Sequence, residues 1–153
     1  VYHELRRVVE VLGGERHVAT LRAADHGAAL LKDGLFTTRR MLRNAPQTVQ
    51  AVVDTVLEGW AIAFADPDRA VAACLRADPS LLRADQTEQL HEIERLARLG
   101  GGLTHGLGYP DPDHMRRATL AMAELGLAVP PGIEAATETG FWQRSSSRKA
   151  AAG

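Results

Sequence analysis

Four prolines, each set where a helix begins or breaks, most constrain what this chain can fold into. Pro46 follows Asn44-Ala45, and Pro67, Pro79 and Pro112 each follow an aspartate, Asp66, Asp78 and Asp111. Proline has no backbone N–H and suits a first helical turn, but deeper in a helix it removes a hydrogen bond. An aspartate just before it can accept from the N–H groups that a new helix leaves open. The chain is thus cut into separate helices that must pack on one another.

Between these breaks the apolar residues recur at helical spacing. Val49, Val52, Val53, Val56, Leu57, Trp60 and Phe64 form one broad stripe, which places Trp60 in the core. Ala70, Val71, Cys74 and Leu75 face inward on the next helix. Asp85-Gln86-Thr87-Glu88 has the form of a capping box, opening a helix with Leu90, Ile93, Leu96 and Ala97 inward and ended by Gly100-Gly101-Gly102. Asp111-Pro112 starts a long helix carrying Met115, Ala118, Met122 and Leu125, with a Schellman end at Gly126-Leu127. An earlier helix places Leu5, Val8, Val9 and Leu12 on one face and stops at Gly13-Gly14.

Two short stretches read as strands, His17–Ala23 and Leu35–Thr38. They make an unsatisfactory sheet alone, because their unpaired backbone groups want partners. A last short element includes Ile133 and Phe141-Trp142, and Arg144–Gly153 shows no apolar pattern and is expected to be disordered.

The 153 residues suffice for a core, and 45% apolar content fits a globular protein. With two Trp, two Tyr and three Phe, that core must be filled by Ala, Leu and Val. A net charge of −1 gives no global attraction for nucleic acid or an anionic membrane. No apolar run is expected to reach the ~20 residues of a membrane span. The single cysteine, Cys74, excludes an internal disulfide and reads as a buried, inert thiol.

Several constellations invite a chemical reading and favour a bland one. His3, His17, His26, His91, His105 and His114 include no pair four apart, so no metal site is expected; Asp111 reads as a helix cap and His114 as exposed. Gly106-Leu107-Gly108 lacks the Lys-Ser/Thr ending of a phosphate loop and a preceding strand, and reads as a flexible link. Asp25-His26 has no Ser or Cys nucleophile near it in sequence and suits a cleft wall. Arg39, Arg40 and Arg43 lack interleaved aromatics and read as a solvated helix face rather than a nucleic-acid surface.

One resemblance draws these features together. Asp25 with Gly27, Gly34-Leu35-Phe36-Thr37-Thr38, Asn44-Ala45-Pro46, Gly59-Trp60, Asp66-Pro67 with Ala70-Val71, Gly106-Leu107-Gly108 and Glu124-Leu125-Gly126-Leu127 fall in the order seen in the ABC-importer solute-binding proteins for thiamine pyrimidine precursors, sulfonates and nitrate. The chain resembles the carboxy-terminal portion of such a protein. His26 departs from the tyrosine that relatives often carry there.

The resemblance implies an α/β periplasmic-binding-protein-like (type II) parent of two lobes, of which this chain is mostly α-helical with two short strands. Residues 1–33 would end the second lobe, 34–143 return into the first, and 144–153 form a tail. It further implies a non-enzymatic function without a cofactor, a small solute and a membrane permease as partners, a missing amino-terminal lobe, and a periplasmic or lipoprotein parent. Asp25, His26, Thr104 and His105 would face the ligand. The cysteine-rich motif of the related pyrimidine synthases is lacking here. A stand-alone helical interaction domain and a fragment of such a synthase are the alternatives.

Overall fold

The computed structural model describes residues 4–21, 34–130 and 132–149. In them the chain forms α1 (Glu4–Val11), α2 (Arg39–Asn44), α3 (Pro46–Ala65), α4 (Pro67–Ala77), α5 (Arg83–Ala97), α6 (Gly101–His105), α7 (Pro112–Glu124) and α8 (Gly140–Arg144), with 3₁₀ turns at Glu15–His17, Ile133–Ala136 and Ser147–Lys149. There is no strand among the described residues.

Both expected strands therefore need correction. His17 lies in a 3₁₀ turn, residues 18–21 join no ladder among the described residues, and 22–23 lie outside them. Residues 34–38 belong to no ladder, and Thr38 caps α2 by accepting from the Met41 N–H at 3.1 Å. β-prone residues form a strand only where another backbone can pair with them.

The proline breaks act as read. Pro46, Pro67 and Pro112 each occupy a first turn; Asp66 accepts from the Arg69 N–H and Asp111 from the N–H groups of Asp113 and His114. The α7 end is a Schellman motif: Leu127 N–H donates to Met122 O at 2.9 Å and Gly126 N–H to Ala123 O, with Gly126 at φ 72°. The capping box is a miss. α5 starts at Arg83 with Leu82 at the cap position, three residues early, leaving Asp85 inside the first turn, where its charge still suits the helix dipole.

The core is small and centred on α3. Leu57, Phe64, Val71, Leu90 and Leu107 are buried together, with Val53, Leu75, Ile93 and Trp142 packed around them. α4 and α5 pair on one flank of α3, while α8 and the Ser147–Lys149 turn cross another. Because its partners lie on limited sides, α3 leaves apolar surface uncovered. Trp60 is 38% exposed and Val52 48%, so the expected burial of Trp60 does not hold. Trp60 instead leans on Phe64, with ring centroids 5.5 Å apart. Cys74 is likewise exposed rather than buried. At 20 residues, α3 is also long and apolar enough to cross a membrane by length and composition, contrary to the sequence expectation, although its Leu57–Phe64 face is packed on protein.

α1 is attached differently. None of its residues is buried, and its Arg6 pairs with Glu10 and reaches Asp85 and Glu88 of α5, the last at 2.6 Å.

Candidate functional site

Asp25 and His26, half of the expected site, lie outside the described residues. Thr104 and His105 close the short helix α6, and the structure places them beside a cluster that the sequence did not reveal. Both side chains are exposed. The Thr104 hydroxyl turns back toward Gly101 O at 3.5 Å. The His105 ring stacks on Tyr109, centroids 4.3 Å apart. Tyr109 meets Trp142 edge-on at 5.3 Å, and the Arg148 guanidinium lies 4.8 Å from the centre of the Trp142 ring. Four side chains from two distant segments thus form a ladder ending in an imidazole on one side and a guanidinium on the other.

The backbone fixes that ladder. Trp142 Nε1–H donates to Leu107 O at 2.8 Å, and Leu107 N–H donates to Arg148 O at 3.1 Å. Both backbone polar groups of Leu107 are thereby satisfied by the carboxy-terminal segment, while its side chain plugs the core. Gly106, at φ 114°, allows this approach, since a Cβ there would stand 2.3 Å from Arg148 O. The Gly106-Leu107-Gly108 link is clasped rather than flexible, and its Leu107 amide is already used.

The segment that makes the clasp was expected to be disordered from Arg144 onward. Instead Arg144 ends α8, Ser145 is 2% exposed, and a 3₁₀ turn follows. Gln50 of α3 holds this segment as well: its amide donates to Phe141 O at 3.0 Å, and its carbonyl accepts from Arg144 Nε–H at 3.1 Å. These anchors are mostly backbone groups, which leave no apolar pattern to read. The Phe141-Trp142 pair was the one usable signal.

Two depressions open on α3. One of about 600 Å³ lies between its last turns and the carboxy-terminal segment, lined by Glu58, Ala61, Ile62, Ala65, Ser146 and Ser147. The other, about 250 Å³, runs along Thr48, Ala51, Val52, Thr55 and Val56. Neither is lined by Thr104 or His105. Among the described residues no group of three His, Cys, Asp or Glu side chains is placed to hold a metal ion. His114, expected to be exposed, is half-buried, and its Nε2 has no hydrogen-bond partner among the described residues.

Residues 6–70 match the family model described as NMT1/THI5 like. No curated protein and no solved structure gives a match. The matched span runs from Arg6 of α1 through α2 and α3 to the first turn of α4. It thus includes Asp25, His26 and the Gly59-Trp60 pair but not the His105 ladder.

Proposed function

We propose that this chain is the carboxy-terminal part of the solute-binding component of an ABC importer, non-enzymatic and extracytoplasmic, that takes a thiamine pyrimidine precursor, a sulfonate, nitrate or a similar small solute. The match of residues 6–70 to the NMT1/THI5-like family carries this reading. Two features support it. Residues 34–38 lack a ladder partner among the described residues, and α3 leaves Val52 and Trp60 uncovered. An added lobe would supply both the partner strand and the cover. The ligand would sit between the lobes, with Asp25 and His26 on the wall contributed here and Thr104 and His105 at its rim, and closure about the hinge would present the loaded form to the permease.

Calorimetric titration of the full-length parent and of this chain with a pyrimidine precursor, an alkanesulfonate and nitrate tests the reading. The parent binds one of them, and this chain alone binds none at micromolar concentrations, because a small ligand needs both walls. Asp25→Ala with His26→Ala weakens the parent's binding. A parent that binds no solute of the panel sinks the proposal; micromolar binding by this chain alone sinks the two-wall geometry.

The helix-only body favours one other reading, a stand-alone helical interaction domain. A monodisperse chain that unfolds in one cooperative transition without any added lobe would support it.

A further inference from the structure

The depression between α3 and the carboxy-terminal segment has a composition suited to a ligand. Glu58, Ala61, Ile62 and Ala65 lie on one side of the last turns of α3, and Ser146 and Ser147 stand across from them. Its volume, about 600 Å³, falls within the range of small-molecule sites. Glu58 is the one charged residue in the lining, and its carboxylate has no ion pair or hydrogen bond among the described residues. The Ser146 and Ser147 hydroxyls are also without partners there. Two cations nearby in sequence are engaged elsewhere: Arg144 with Gln50 and 4.6 Å from the centre of the Phe141 ring, Arg148 over Trp142. One carboxylate, two hydroxyls and an aliphatic floor thus line one depression, contributed by two elements.

We propose that this depression binds a small primary alkylammonium. An ammonium group carries three N–H donors and no acceptor. One carboxylate and two hydroxyls offer it three acceptors, and a chain of a few methylenes would lie on Ala61, Ile62 and Ala65. An anion is disfavoured by Glu58, and one carboxylate is too few for a divalent metal ion. The depression opens to solvent, so the expected affinity for a five-heavy-atom amine is on the order of millimolar. The site involves none of Asp25, His26, Thr104 or His105, and it stands or falls apart from the solute-binding reading.

The test is an amide NMR titration of the whole chain with butylammonium chloride, with butanol and ammonium chloride as controls. Butylammonium should shift the Ala61, Ile62, Ser146 and Ser147 amides saturably, and both controls should leave them unsaturated. Glu58→Gln, at an exposed position where folding is undisturbed, should weaken binding at least about threefold, and Glu58→Lys should abolish saturation. Ser147→Ala should weaken it less. Linear, unsaturating shifts with butylammonium, equal shifts with butanol, or unchanged binding by Glu58→Gln would each overturn the proposal.

Discussion

At the scale of single residues, neighbouring positions of the Val49–Phe64 stripe behave differently. Leu57 is 6% exposed and Phe64 8%, whereas Trp60 is 38% exposed. Leu57→Ala should therefore cost about 2–5 kcal/mol in chemical denaturation, and Trp60→Ala less than Phe64→Ala, whose cost is about 3–5 kcal/mol. Equal losses for Trp60 and Phe64 would mean that Trp60 is covered in solution. The glycines divide in the same way. Gly59 has open space where a Cβ would go, so Gly59→Ala should stabilise by about 0.5–1 kcal/mol. Gly106→Ala meets both a positive φ and the Arg148 carbonyl, and should destabilise by more than about 1 kcal/mol. Asp78 offers a pH probe. The Ser80 hydroxyl and N–H both donate to its carboxylate and hold its pKa below the ordinary value. A depressed folded-state pKa adds stability above the unfolded-state pKa, and that stability is lost as pH falls through the folded value. Asp78 is fully solvent-accessible, so NMR titration is the suitable measurement, and Ser80→Ala should return its midpoint upward. Helical period alone cannot separate Trp60 from Leu57. An apolar stripe tells which residues can be buried, and the partners decide which are.

At the scale of elements, boundaries set by Pro, Asp and Gly were legible, and attachments were not. Pro67, Pro112, Asp66, Asp111 and Gly126 each act as expected because capping is local chemistry of neighbouring residues. The link from Arg6 to Asp85 and Glu88 joins residues far apart in sequence, with no pattern to announce it. It makes the docking of α1 electrostatic. Hydrogen exchange on the last turn of α1 should speed up on raising salt from about 0.05 to 1 M, and equally in Arg6→Gln, while α4 and α5 stay protected. Exchange in α1 that ignores both changes would show that apolar contacts hold it. The carboxy-terminal clasp has its own test. Trp142→Phe keeps an aromatic ring and removes the donor to Leu107 O, which should cost at least about 0.5–1.5 kcal/mol and speed proteolysis after Arg144 or Arg148. Resistance equal to the parent chain would show that ring packing alone holds the segment.

At the scale of the whole molecule, the expected mixture of helix and strand reduces to helix without strand among the described residues, and circular dichroism should be dominated by helix. Of the aromatic ladder, only its His105 end was legible in the sequence. The His105 position could be singled out as a loop beside paired glycines, but the ladder through Tyr109, Trp142 and Arg148 needs the clasp to bring residues 105 and 148 together. The uncovered side of α3 sets how the protein behaves in a tube. Val52 and Trp60 offer a sticky flank to any neighbour at high concentration. Light scattering should give a negative second virial coefficient. Ammonium sulfate should make it more negative, by strengthening apolar association, and Val52→Ser should bring it toward zero.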